Sequence, residues 1–520
     1  MHVLRAAFCA AIVVGLLAVP CAGLPAAGPA VTQLLAGYLR AVEDPGVAPF
    51  DRFEARGSVA GGGLTGAFHT WEDRDRARED ENLGPRRETT LRLGDRVFYA
   101  NADGNVREFT GIMLRRDRTE RFIDTGDFAK APERCVSRGR VAIDGRNAYA
   151  LDVTAPSGEM QTLYLDARTY LPARIAYDDD DGRTTIDFSD WRTVDGHRFP
   201  FHLLISDGDR EFDVTQTTES LRIGEPIDQG IFQPLVGRSI EMRAPQTIRL
   251  TARDGHLFVP VTIAGRQYNF LIDSGAQNIL IDKHVSHDLG LAPVGALEAS
   301  GAQRVGGLQI AHLDALGVGD GILHDLVVTT LDLGRSTSGA FPIDGILGYP
   351  FFAEATVTLD VAHSTMTFGP PGSFVPPGTK VALETDRAFP EARFRINDAL
   401  EVPFLVDTGN AGEILLYKPF VDRHPSIVPP SVTATRRAYG IGGATSSYSS
   451  SLDRIDLADF TIYHAQAEVM LATRGAFADR FDAGNVGLGV LRNFVVTFDE
   501  SANALYFERG SDFIDGRLRV

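Results

Sequence analysis

The strongest constraint on this chain is a turn that it writes twice. Phe270-Leu271-Ile272-Asp273-Ser274-Gly275-Ala276-Gln277-Asn278-Ile279-Leu280 recurs as Phe404-Leu405-Val406-Asp407-Thr408-Gly409-Asn410-Ala411-Gly412-Glu413-Ile414-Leu415-Leu416. In each copy three apolar residues lead to an aspartate, a hydroxyl residue and a glycine, and a second apolar run follows. Apolar residues on both sides of the aspartate predict a strand entering a buried turn. A carboxylate in such a place is costly unless it is hydrogen-bonded or paired. Two such turns in one chain predict that the carboxyls of Asp273 and Asp407 meet.

Other features repeat in the same order. A glycine-rich hairpin follows each turn, Val305-Gly306-Gly307-Leu308 and Tyr439-Gly440-Ile441-Gly442-Gly443. Next come Ile343-Asp344-Gly345-Ile346-Leu347-Gly348 and Val486-Gly487-Leu488-Gly489, each leading to a strand that ends in Asp, at Asp360 and Asp499. The two halves run over 248–368 and 380–510. Between them, 369–379 is a Pro/Gly linker whose composition cannot continue a sheet.

This ordered set resembles the retropepsin-like and pepsin-like aspartic proteases over about 248–509. The resemblance implies two retropepsin-like β-barrel lobes forming a pseudo-dimer, with Asp273 and Asp407 as catalytic residues. It implies that Ser274 and Thr408 brace the opposite turn, that Gly275 and Gly409 support the catalytic loops, and that Gly348 and Gly489 leave room beneath them. Gly306, Gly307, Gly442 and Gly443 would form substrate-covering flaps, with Tyr439 the nearest candidate for a flap tyrosine. Two adjacent carboxyls sharing one proton can act as base and acid together, so neither metal nor organic cofactor is required; the aspartic-protease dyad is the standard illustration of that principle. The second turn is longer than the first, which predicts an asymmetric pair, and the serine-rich 444–451 beside the second flap predicts flexibility.

The residues before this region read differently. Positions 31–42 place Val31, Leu34, Leu35, Tyr38, Leu39 and Val42 on one helical face. From about 52 to 235, short strands alternate with turns such as Gly94-Asp95, Asp181-Gly182 and Asp195-Gly196, predicting an antiparallel meander. Tyr164-Leu165-Asp166-Ala167-Arg168-Thr169-Tyr170-Leu171-Pro172 and Phe188-Ser189-Asp190-Trp191, continuing to Gly196-His197-Arg198-Phe199-Pro200, carry a resemblance to the LolA-like lipoprotein carriers. That resemblance implies a curved antiparallel sheet with a helix over 27–240, and a lipid or acyl chain as a partner of its concave face. The fold class expected for the whole is therefore mainly β.

Three features invite chemistry and are read as structural. Asp178 to Asp181 resembles a cation site but precedes Gly182, which predicts a solvated hairpin tip. Ile123-Asp124-Thr125-Gly126 is a third Asp-Thr-Gly that lacks the apolar run of the other two. His284 and His287 have no zinc-protease frame around them and are read as surface residues.

The chain has 520 residues, 44% of them apolar, and a formal charge of −18 without a long basic run, which excludes nucleic acid as an expected partner. Ala6 to Val19 is continuously apolar after Arg5 and precedes small residues, so 1–26 reads as a cleaved secretory signal and the location as periplasmic or secreted. The run is too short to span a bilayer, and Pro20 argues against lipid attachment at Cys21. Removal of Cys9 and Cys21 would leave Cys135 alone, without an intrachain disulfide. The resulting expectation is an exported, monomeric aspartic endopeptidase acting on peptide or protein. The competing expectations are an inactive envelope protein that binds lipid or peptide, and lobes that pair as homodimers.

Overall fold

The computed structural model describes residues 29–180, 182–301, 304–335, 343–384, 387–427, 436–511 and 513. The segment read above as a signal, with Cys9 and Cys21, and Asp181 lie outside the described residues. The chain divides into two compact units, one of residues up to 101 and 106–236, the other of 102–105 and 237–520.

The first unit is one 13-stranded antiparallel sheet. Consecutive strands pair except for Val106–Glu108 and Cys135–Ile143, which form the two edges, and the first strand, Arg52–Gly61, pairs with the last, Val214–Ile223. The helix Val31–Val42 buries Leu34, Leu35, Tyr38 and Val42, with the Tyr38 ring 4.8 Å from that of Phe128. A second helix, Gly111–Asp124, was not expected from sequence. Its buried positions include Arg116, Thr119 and Asp124 beside Ile112 and Ile123, so it has no continuous apolar stripe to reveal it.

That helix accounts for two of the misleading motifs. Asp124 is its last residue, Thr125 N donates to Arg121 O at 2.9 Å, and Gly126 takes φ 68° to end it. The third Asp-Thr-Gly is therefore a helix C-terminus. Asp179 departs from the expected solvated tip: it is buried, 2.9 Å from Arg116 and accepting from Thr184 Oγ1 at 3.1 Å. Arg116 offsets the cost of burying that carboxylate. Cys135 is buried and burial pushes its thiol up to about 11, which removes it as a nucleophile. His287 is exposed, and His284 is half-exposed against Asp282 and Asp344.

The second unit holds two lobes of the same plan. In the first, Arg266–Ile272 pairs in parallel with Gly345–Leu347, and the strand His256–Ile263 also pairs with Arg304–Val318, closing six strands into a barrel. In the second, Leu400–Val406 pairs in parallel with Gly484–Val486, and Glu391–Ile396 closes onto Gly443–Leu457. A separate six-stranded sheet takes three strands from each lobe and joins them through Thr356–Asp360 against Phe494–Asp499, with Val357 opposite Phe498. Phe352 and Phe498 pack at 4.9 Å across this seam. Each phenyl so enclosed contributes roughly 1.5–3 kcal/mol, so the lobes share one core rather than touching at a rim.

The serine-rich 444–451 is regular strand rather than a flexible segment: 447–451 pair residue by residue with Phe460–Met470, and 444–446 pair with Arg436–Gly440. Small hydroxyl side chains fit there because Thr445 and Ser447 are buried, and the Ser447 hydroxyl bonds Glu468.

Candidate active site

Each Asp turn is held from below by its parallel partner strand. Asp273 N donates to Leu347 O at 3.1 Å, and Asp407 N to Val486 O at 2.9 Å. The chain then passes close beneath the turn. A Cβ on Gly348 would lie 2.2 Å from Asn278 O, and one on Gly487 would lie 2.5 Å from Gly412 O. The counterpart of Gly348 is thus Gly487 rather than Gly489, whose nearest neighbour is the Glu413 side chain.

The two turns are locked to each other by buried hydrogen bonds. Ser274 N donates to Thr408 Oγ1 at 2.9 Å, and Thr408 N donates to Ser274 Oγ at 3.0 Å. Ser274 Oγ donates to Val406 O at 2.6 Å, and Thr408 Oγ1 to Ile272 O at 3.0 Å. Each hydroxyl both accepts and donates, so serine and threonine are interchangeable here while a non-hydroxyl side chain would strand a backbone group.

This brace brings the carboxyls together. Asp273 and Asp407 lie close enough for the charge of one to act on the other. A Cβ on Gly409 would lie 2.3 Å from Asp273 Cγ, and one on Gly275 would lie 2.8 Å from Asp407 Oδ1. Glycine is required because each carboxyl rests against the opposite backbone. Gly275 N donates to Asp273 Oδ1 at 2.9 Å, and Gly409 N and Asn410 N to Asp407 Oδ1 at 2.9 and 3.2 Å.

Both side chains keep a half-buried face, yet the protein around them is dense. Burial pushes Asp273 up to about 6, against the lowering effect of the Gly275 amide. Burial and then the Asp273 charge hold Asp407 well above the ordinary carboxylate range. Two acids so placed retain one proton between them into neutral pH.

The pair is asymmetric, in a way finer than the longer second loop suggests. Asn485 Nδ2 donates to Asp407 Oδ2 at 2.7 Å, and Asn410 Nδ2 donates to Asn485 Oδ1 at 2.8 Å. The first lobe has Ile346 and Ala276 at the matching positions, so Asp273 has no such amide. Sequence reading missed Asn410 and Asn485. The signal was one polar residue inside the otherwise apolar segment beneath the second turn, visible only once Gly487 is aligned with Gly348. His256 was missed as well: it stands beside the Gly409 backbone from the first lobe, and burial lowers its imidazole below the ordinary histidine range.

The flaps differ from the expectation in one place. Gly442 lies at the tip between Arg436–Gly440 and Gly443–Leu457, where Gly440 pairs with Gly443. Gly306 and Gly307 are not at a tip. They form a bulge inside Arg304–Val318, because Leu297 pairs with Leu308 while Ala299 pairs with Val305. The last described pair of the first hairpin is Ser300 opposite Arg304, and Gly301 follows it. A Cβ there would lie 2.3 Å from Ile441 O, and Gly301 O accepts from Ala476 N at 2.9 Å, so the two flap tips meet. Tyr439 belongs to the second flap strand. Leu271, Leu280, Leu308 and Ile346, with Ile441 against them, make the adjoining wall apolar.

An ionic cluster stands behind the second turn. Arg387 is buried and pairs with Asp479, with Glu391 at 2.9 Å and with Asp482. Its carbonyl accepts from Gln277 Nε2 of the first Asp turn at 2.6 Å. Among the described residues no group of metal-ligating side chains is assembled, and no helix is long and apolar enough to cross a membrane.

Comparison with known proteins gives three findings. No curated protein matches the chain. Solved structures with similarity include a DUF1329 family protein from Desulfovibrio piger, at 18% identity over 40% of this chain and 98% of that one with a TM-score of 0.29. A LolA superfamily protein from Nitrosomonas europaea is 13% identical over 40% of this chain and 99% of that one, with a TM-score of 0.27. Residues 259–351, which carry the Asp273 turn and the strand beneath it, match the family model described as aspartyl protease, and this region of the chain is similar to that family.

Proposed function

We propose that the chain is an exported aspartic endopeptidase that uses Asp273 and Asp407 as a single site. The observation that carries this reading is the close approach of the two carboxyls, each raised by burial, between two mutually braced turns. The reaction follows from one shared proton. The ionised carboxyl removes a proton from a water held between the pair, and the water oxygen bonds to the peptide carbonyl carbon. The protonated carboxyl gives its proton to the carbonyl oxygen. The tetrahedral species collapses as a proton reaches the amide nitrogen and the C–N bond breaks. The meeting flap tips would exclude solvent and hold an extended chain through backbone hydrogen bonds. Export rests on the N-terminal apolar run, and the acyl chain proposed for the first unit rests on its resemblance to lipoprotein carriers.

The test is cleavage of a peptide library by the mature protein across acid to neutral pH. Activity requires that the pair hold one proton rather than two or none. On the acid side it is expected to decline with a midpoint of about 6, where Asp273 takes up the second proton, and on the alkaline side at the higher value set by Asp407. An optimum well below that acid midpoint would contradict this reading of the site.

Gly409→Ala probes the geometry without touching a carboxyl. The new methyl cannot coexist with the Asp273 carboxyl at 2.3 Å, so the pair must separate. A displacement of that kind is expected to cost about a hundredfold in kcat, with the far-ultraviolet circular dichroism unchanged. Full activity in this variant would show that the close approach is not needed.

A further inference from the structure

The second flap has an open groove on one flank, about 530 Å³ in volume. Arg437, Ala444, Thr445 and Ser446 line it from the flap hairpin, and Leu471 to Arg474 line it from the loop after Phe460–Met470. The two walls are tied together by Leu471 N donating to Ser446 O at 2.8 Å. The loop then runs to Ala476, which bonds the first flap at Gly301, and on to Asn485 beneath Asp407. The groove is therefore built from the same two segments that cover and support the carboxyl pair.

Its charge is unlike the rest of the chain. Acids outnumber Lys and Arg by 69 to 51, yet both ionisable groups lining the groove are arginines and none is an acid. Arg437 and Arg474 are exposed and form no ion pair among the described residues, whereas Glu468 on the adjoining strand is engaged by the Ser447 hydroxyl. Thr445, Ser446 and Thr473 add hydroxyl groups between them. Two guanidiniums with hydroxyls beside them suit a carboxylate, which can accept paired N–H donors from an arginine fork.

We infer that this groove is a specificity subsite that takes the carboxylate of an internal Asp or Glu of the substrate, at one fixed position relative to the cleaved bond. The inference rests on the endopeptidase reading and adds the substrate class to it. It assigns to Arg437 and Arg474 a role in selecting sequence, separate from the chemistry at Asp273 and Asp407.

The experiment uses peptides that are N-acetylated and C-amidated, so that side-chain carboxylates alone are read. A peptide cleaved by the full mature protein is remade with Glu, Gln or Lys at each position in turn. One position is expected to favour Glu over Gln by about tenfold in kcat/KM, the equivalent of one charge-assisted contact. The preference should weaken with salt and collapse toward one in Arg437→Gln, Arg474→Gln and the double variant. Cleavage without any acidic preference, or a preference that survives the double substitution, would overturn the subsite and leave the endopeptidase reading standing. The second measurement needs no turnover. Binding of Glu-containing and Gln-containing peptide pools to Asp273→Asn is compared by fluorescence polarisation, with and without the two arginine substitutions. Selective, arginine-dependent binding by Asp273→Asn, together with no cleavage of any peptide by the wild-type protein, would retain the subsite and remove the protease. Equal binding of the two pools, or selectivity seen only for peptides with a free C-terminus, would overturn the subsite.

Discussion

Replacing either Asp273 or Asp407 by asparagine is expected to lower peptide cleavage by about a thousandfold to ten-thousandfold, the usual contribution of positioned acid–base groups. The amide keeps the size of the carboxyl and can still accept from Gly275 N or Gly409 N, so the braced turns should persist. What disappears is the second acid with which the proton is shared. The remaining carboxyl can then be ionised or protonated but cannot offer both forms at once. The two single variants should be similarly inactive, and the double variant little worse, because the pair acts as a unit. Equal cleavage by wild type and both single variants would end the enzyme reading.

The same substitutions carry an opposite stability signature. Asp273 is raised from 3.8 to about 6 in the fold. The folded state therefore binds the proton more tightly than the unfolded chain does. Its contribution is fully present below about 4 and is lost as pH rises through about 6. Asp273→Asn removes that loss, so the variant should gain on wild type in urea denaturation as pH is raised through this window. A dyad that is inactive yet more stable at neutral pH distinguishes a functional carboxyl from a structural one.

The largest stability effect is expected at Arg387. Three carboxylates, Glu391, Asp479 and Asp482, converge on this buried guanidinium. Arg387→Met keeps much of the side-chain volume and removes the cation. Breaking a buried ionic cluster by deleting one partner typically costs about 3–5 kcal/mol, because the opposite charges stay behind in a medium that solvates them poorly. The loss should be read as a shift in the urea midpoint at neutral pH, and it should shrink in acid as the carboxyls protonate. Arg387→Lys should recover part of it, since an ammonium supplies charge without the planar fork. A loss under about 1 kcal/mol for Arg387→Met would place the cluster among ordinary surface pairs. Burial of Tyr417, and the charges of Asp479, Asp482 and Asp407 around it, ties this cluster electrostatically to the second Asp turn.

Local pattern carried much of the architecture. The helix Val31–Val42, the hairpins of the first unit and the strands flanking each Asp turn all follow from apolar spacing and turn residues, because those signals act within a few residues. The helix Gly111–Asp124 escaped because its buried face includes Arg116, whose partner Asp179 lies far along the chain. The flap bulge at Gly306 and Gly307 escaped because glycine marks both tight turns and bulges, and the choice depends on which strand pairs opposite. Asp179 was assigned to solvent because a run of acids ordinarily sits there, and the arginine that makes burial tolerable is visible only in three dimensions.

By itself the sequence determined that Asp273 and Asp407 occupy equivalent turns, each preceded by a buried strand and followed by a hydroxyl and a glycine. Repetition encodes that equivalence, and repetition is readable in one dimension. Only the tertiary structure decided that the two carboxyls approach each other, that Asn485 serves one and not the other, and that two arginines with no ion pair among the described residues face one groove beside the flap. Those facts depend on distances between residues far apart in the chain. Such distances are fixed by the shared core and the six-stranded sheet that joins the lobes, not by any local preference of the residues themselves.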